Sequence, residues 1–426
     1  MLSRREFLRS AAVAGALLPT MARAAASGDR KLVLLFANGG WDSTLCMDPR
    51  LNHPSIDGAE LHEDPNNPDD REYLRTFGDN LEIVCNDLKR PSVSRYFERW
   101  GHETAVLNGI WLGSIAHPSC RGRVLTGTNS MLAPDLASIH GDALIGDKPL
   151  GTIDMAGMAM PGPLAASAGR TGTANQLKTL LDDDVVLPSP GAPYPLFVPA
   201  ETDRVAVGRL LEQRARRLAT LRGGTQANDE RLDDYFLSME RAERFRAQSD
   251  GLLDGLQLGK IASLPTMAET AVDMLEHELC QSVFLDTNRA WDDHAALVSQ
   301  HESYEATFAA LTYLIDLLSE RGLLSQTTVL VLSEMTRTPK INAELGKDHW
   351  PHASAIVIGA GVRGGHTYGA TNDLMESVPM DLATGDPTEL GTMLRYENFG
   401  ASVLSLLGGD HERWFPGITP FTGWVR

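Results

Sequence analysis

Residues 328–352 read TVLVLSEMTRTPKINAELGKDHWPH. The apolar run from Thr328 to Leu332 has strand composition and stops at Ser333-Glu334. Behind it come Arg337, Asp348, His349 and His352. A buried strand that opens into carboxylate, guanidinium and imidazole is how α/β proteins place a site, at the carboxyl ends of parallel strands. Other strands must then deliver polar residues to the same edge.

The apolar run 31–37 (KLVLLFA) predicts a central parallel strand buried on both faces, ending at Asn38-Gly39-Gly40. Further strands are expected at 81–85, 104–107, 153–155, 282–285 and 354–358. Helical patterns over 203–222, 228–249, 266–280, 304–321 and 396–407 come between or after them. This alternation predicts an α/β fold: a doubly wound, mostly parallel sheet flanked by helices. Residues 46–80, polar and rich in Pro and Asn, read as a long loop with one helical turn. Residues 156–250 read as a surface excursion. It starts with a Pro-rich part around a short helical piece near 176–181, and a helical hairpin broken at Gly223-Gly224 follows. The hairpin's Arg204, Arg209, Arg214, Arg216, Arg217 and Arg222 read as a solvated face paired with nearby acids, in preference to an anion grip.

With 426 residues, 42% hydrophobic and 22% charged, the chain can bury a large core. Its formal net charge of -18 argues against a nucleic-acid partner, which needs a basic face. Residues 1–26 read as a targeting segment: Ser3-Arg4-Arg5-Glu6-Phe7-Leu8 resembles a twin-arginine export signal, and Ala22-Arg23-Ala24 is a cleavage site. The export machinery is therefore an expected partner, and a periplasmic or secreted location follows. Residues 27–426 form one expected domain, with no run near the roughly 20 apolar residues of a membrane span in the mature chain. Cys46, Cys85, Cys120 and Cys280 allow up to two disulfides or four buried thiols.

Four clusters carry chemistry. Asp42, in Gly39-Gly40-Trp41-Asp42-Ser43-Thr44, stands at the end of the first strand, where it either holds a cation or caps a helix. In 117–127 (HPSCRGRVLTG), His117, Ser119 and Cys120 are alternative nucleophiles, and Arg121 can neutralise an anion. Asp292 and His294, two residues apart, can reach one cation, their oxygen and nitrogen suiting Zn, Mn, Fe or Mg. Glu334 is a candidate ligand or base and Arg337 an anion anchor. Asp348 and His349 are ligands or an acid–base pair, with His352 behind them. A lone GxGxxG at Gly359, Gly361 and Gly364 has no evident helix after it and reads as a glycine-rich loop or hairpin with His366 exposed.

The order of these clusters resembles the alkaline phosphatase and sulfatase superfamily. Counting back from Thr126-Gly127, His117 falls on the nucleophile and Arg121 on the arginine of the sulfatase signature. More closely, the chain resembles a bacterial family of unassigned activity within that superfamily. The resemblance rests on Gly39-Gly40-Trp41-Asp42, Trp291-Asp292-Asp293-His294, Ser333 to Pro339 (SEMTRTP) and Asp348-His349-Trp350-Pro351. It departs from the superfamily's hydrolases in having Ser333-Glu334 in place of Asp-His and a histidine at the nucleophile. The resemblance implies one or two divalent cations (Zn, Mn, Fe, Mg or Ca) on Asp42, Asp292, His294, Glu334 and His349, with Asp348 beside them. His117 would be nucleophile or acid–base, and Arg121 and Arg337 would hold a small anionic ester or envelope glycan. Two functions are expected to compete: metal-dependent hydrolysis of a phosphate or sulfate ester, and a binding or assembly protein that keeps the fold without the chemistry.

Overall fold

A computed structural model of the chain describes residues 30–171, 200–249, 252, 262–295 and 298–426. The expected export signal and the helical piece near 176–181 lie outside the described residues. The strands are β1 (Lys31–Ala37), β2 (Tyr73–Phe77), β3 (Leu81–Cys85), β4 (Thr104–Trp111), β5 (Thr152–Asp154), β6 (Ala168–Arg170), β7 (Ser282–Asp286), β8 (Thr327–Ser333), β9 (Thr336–Arg337), β10 (His349–Trp350), β11 (His352–Gly359) and β12 (His366–Tyr368). The α-helices are α1 (Pro91–Trp100), α2 (His117–Thr126), α3 (Leu136–Ala143), α4 (Glu201–Arg222), α5 (Gln226–Gln248), α6 (Leu264–Glu276), α7 (Val298–Glu320) and α8 (Tyr396–Leu406).

Eight strands form one sheet in the order β12-β4-β11-β8-β1-β7-β5-β6. All pairings are parallel except those of β11 with β4 and β8. Alternate residues of β1 enter opposite cores. Val33 and Leu35 pack with residues of α1, α6 and α7, such as Phe97, Leu275 and Phe308. Leu34 and Phe36 pack with residues of α2, α3 and α8, such as Val124, Leu136 and Phe399. The fold is thus a mostly parallel sheet with helices on both faces, and continuous apolar runs such as 31–37 are its buried central strands.

Strand register makes one edge of the sheet level. Ala37 pairs with Ser333 and Phe36 with Asp286, so β1, β7 and β8 end side by side. Because β11 runs backwards, its first residue, His352, lies opposite Trp111, the last residue of β4. The chain that leaves β8 after Ser333 therefore returns to the same edge at His349–Trp350.

Three local readings differ from expectation. Residues 81–85 do not join the large sheet; they pair antiparallel with β2 as a separate ribbon. β2 itself falls inside the expected loop 46–80, because its middle residues, Leu74, Arg75 and Thr76, are exposed and give no apolar run. Residues after Gly365 form β12 on the sheet edge, with His366 paired to Asp79 at 3.1 Å. The helical hairpin α4–α5 appears as expected. No helix of the described residues is long and apolar enough to cross a membrane.

Candidate metal centre

The exit of β1 is pressed against the segment after β7. Gly39 and Gly40 have φ of 127° and 88°. A Cβ on Gly39 would lie 2.5 Å from the backbone nitrogen of Asp292, and one on Gly40 would lie 2.8 Å from Met335 Cγ. Only glycine satisfies both the left-handed backbone and the close approach. Arg337 locks this junction. Its buried guanidinium donates from Nε to Gly40 O at 2.7 Å and from Nη1 to Lys347 O at 3.3 Å. Its Nη2 donates to Gly39 O, to Trp291 O at 2.8 Å and to Asp292 Oδ1 at 3.0 Å.

Three imidazoles converge on Asp292. His117 opens α2, with its Nδ1 2.9 Å from Glu334 Oε1. That oxygen also accepts the Gly39 N–H at 2.8 Å, and Glu334 is fully buried. His294 Nδ1 lies 2.8 Å from Asp348 Oδ1, which also accepts from Asn342 Nδ2 at 3.2 Å. His349 Nδ1 lies 2.8 Å from the carbonyl oxygen of Ile115. Each Nδ1 faces an oxygen acceptor and so carries the proton, which leaves a lone pair on each Nε2.

Those lone pairs face one another. His294 Nε2 and His349 Nε2 are 3.0 Å apart, and each is 3.1 Å from Asp292 Oδ1. His117 Nε2 is 3.3 Å from Asp292 Oδ2; it is buried and has no hydrogen-bond partner among the described residues. His117, Asp292 and His349 each offer an atom within 4.8 Å of the others. Three nitrogen lone pairs facing a carboxylate, with the Arg337 guanidinium donating to that carboxylate alone, need a cation or added protons. Partial burial opposes ionisation of Asp292, but the hydrogen bond from Arg337 helps to hold its pKa down to about 2. The hydrogen bond to Glu334 pulls the His117 pKa up against burial. Asp348 is held below the usual carboxylate range by His294 and Asn342.

Several expected site residues have other partners. Asp42, expected as a ligand, turns away from the imidazoles: its Oδ2 is 2.7 Å from Lys347 Nζ, with both side chains 1% exposed. Its Oδ1 accepts from Thr44 N and Oγ1 at 3.1 and 2.7 Å. Arg337, expected to hold a substrate anion, spends its donors on the protein itself. Glu334 and Asp348 stand behind His117 and His294, on their Nδ1 sides. His352 is buried against Ser377 Oγ at 2.6 Å, and burial takes its pKa down to about 4. Arg121 lies four residues after His117 on α2, half-buried, with no ion pair among the described residues. Cys120 is a poor nucleophile here: burial pushes its thiol up to about 11, and it donates to Ser114 O at 3.0 Å. Lys347 and the Ile115 carbonyl were missed. Lys347 directly precedes Asp348-His349, and a lysine beside candidate ligands was the available signal. A backbone carbonyl leaves no signal in sequence.

The family model described as "Protein of unknown function (DUF1501)" matches residues 271–419. That span holds Asp292, His294, Glu334, Arg337, Asp348 and His349, but not Asp42 or His117. Among solved structures, the chain is similar to a protein in the alkaline phosphatase superfamily from Vibrio parahaemolyticus, at 9% identity over 90% of this chain and 67% of that one, with a TM-score of 0.38. A sulfatase from Pseudoalteromonas sp. is similar at 9% identity over 93% and 73%, with a TM-score of 0.34. A lipooligosaccharide phosphoethanolamine transferase from Neisseria meningitidis is similar at 8% identity over 95% and 59%, with a TM-score of 0.40. No curated protein matches the chain.

Proposed function

We propose that this protein is a metal-dependent hydrolase of the alkaline phosphatase and sulfatase type, acting on a phosphate or sulfate ester in the cell envelope after twin-arginine export. The observation that carries the reading is the convergence of three Nε2 lone pairs on the Asp292 carboxylate, each imidazole fixed by an oxygen acceptor behind it. His117, His294, His349 and Asp292 would hold one divalent cation. Three nitrogens and one oxygen suit zinc best among the candidates. Such a cation supplies Lewis acidity toward the ester's anionic oxygens.

The chain's own groups do the rest. Glu334 and Asp348 keep His117 and His294 in the tautomer that presents Nε2. Arg337 holds Asp292 against the β1 exit and keeps it ionised. Arg121 shares a helix face with His117 and is the free guanidinium for a bound anion. The first turn of α2 has no side-chain cap; Pro118 lacks an N–H and Cys120 N bonds to Ala116 O, which leaves the His117 and Ser119 N–H groups as further donors for an anion.

Elemental analysis tests the reading directly, on protein purified without chelators or a metal-affinity tag. One equivalent of a divalent metal is expected, lost in Asp292→Asn and His349→Ala. Hydrolysis of aryl phosphates and sulfates should be lost with it. If no metal is present, and zinc or manganese fails to raise the melting temperature, the hydrolase reading falls. A second reading, a binding or assembly protein, is favoured by one observation: Asp42 and Arg337 are both neutralised internally.

A further inference from the structure

Helix α4 is built inside out. Its least exposed residues are Gly208, Glu212, Ala215 and Ala219, at 4-3-4 spacing. Its large apolar residues point to solvent. Val207, Leu211, Leu218 and Leu221 fall on a second stripe at 4-3-4-3 spacing, with Arg214 at the central position. Leu210 and Leu221 are 63% and 68% exposed. A helix normally buries its leucines and wets its small and charged face. An a/d seam of this kind is what a helix presents to another helix.

The hairpin is fastened to the body through the far end of α5. Arg241 donates to Ala166 O at 2.9 Å and Arg244 to Asp147 O at 3.1 Å, and Phe245 is buried. The charges of its two helices are opposed. Residues 209–222 hold five arginines and one glutamate, or +4; residues 226–240 hold five acids and one arginine, or -4. Arg209, Arg214 and Arg217 have no ion-pair partner among the described residues, nor do Asp233 and Asp234. The whole chain carries -18, so α4 is a basic, leucine-bearing face on an acidic molecule.

We propose that two copies of this chain pair through their hairpins, α4 of each lying on α5 of the other in a four-helix arrangement. One surface is then self-complementary, as a two-fold contact requires. Each leucine stripe meets the partner's α5, and each +4 segment meets a -4 segment.

Sedimentation of the full exported chain at micromolar concentration tests the pairing. The wild type is expected at twice the chain mass, and Val207→Glu/Leu221→Glu at one mass with an unchanged far-UV circular dichroism spectrum. These side chains are exposed, so the monomer's fold does not depend on them. Charge reversal tests the crossed geometry. Arg214→Glu/Arg217→Glu and Asp233→Arg/Asp234→Arg should each be monomeric alone, and an equimolar mixture should restore the double mass. A monomeric wild type, or a Val207→Glu/Leu221→Glu variant that stays dimeric, overturns the proposal. A mixture that fails to pair overturns the α4-on-α5 arrangement.

Discussion

Removing Lys347 separates a structural role for Asp42 from a ligand role. Asp42 and Lys347 are each 1% exposed and 2.7 Å apart. In Lys347→Met the carboxylate keeps only the Thr44 donors. Breaking a buried pair from one side costs about 3–5 kcal/mol, because a charge is left without its partner. The unfolding entropy of a chain this size is about 0.8 kcal/mol per kelvin, taking about 2.1 cal/mol/K for each of roughly 400 residues. The melting temperature should then fall by about 4–6 °C. Asp42→Asn leaves the ammonium stranded and should cost a similar amount. The double variant Asp42→Asn/Lys347→Met should cost much less than the sum, since neither charge remains. Scanning calorimetry gives the three shifts, and metal analysis of the same samples gives the second half of the test. All three variants should keep their metal, because His117, Asp292, His294 and His349 are intact. Loss of metal in Asp42→Asn with little change in melting temperature would refute the reasoning and return Asp42 to the ligand set.

Other expectations follow from the same geometry. Glu334→Ala should weaken metal retention about 10–100-fold in chelator competition, since His117 loses the acceptor that fixes its tautomer; an unchanged affinity would contradict that role. His140 is buried with Nε2 2.7 Å from Arg30 O, and burial lowers its pKa to about 4. Between about 4 and 6.5 the unfolded chain therefore binds the proton and the folded chain does not. Stability from this group is complete above 6.5 and is lost as pH falls toward 4, by up to roughly 3 kcal/mol. Urea titrations at pH 7 and 4.5 should show a smaller acid loss in His140→Gln than in the wild type. All four cysteines are free and buried, so a thiol reagent should find no reactive sulfur in the native protein and four after unfolding, without reductant. Fewer than four would reveal a disulfide.

The fold was legible where one stretch decides it. Continuous apolar runs at 31–37 and 328–332 gave β1 and β8, and the clusters after them lie at the edge that carries the candidate site. β6 and β12 were not legible, because three residues are too short a run to read and edge strands owe their pairing to the neighbouring strand. The reversed direction of β11 left no trace either, since a buried antiparallel strand has the same composition as a parallel one. At the site, residue types announced His117, Asp292, His294 and His349 as candidates. Which oxygen each imidazole meets, and that Lys347 neutralises Asp42, depend on contacts between residues as many as 305 apart in the chain. Local pattern says nothing about those.

The three imidazole fastenings also set an order in time. His117 reaches Glu334 across 217 residues, and His349 reaches Ile115 across 234. Closing loops of that length has a high entropic cost and brings in no local contacts along the way. A growing chain lacks one wall of the pocket until residue 349 has been made and β11 has entered the sheet backwards. The cluster is thus among the last things to form, and capture of a cation there would report that the whole molecule has finished folding.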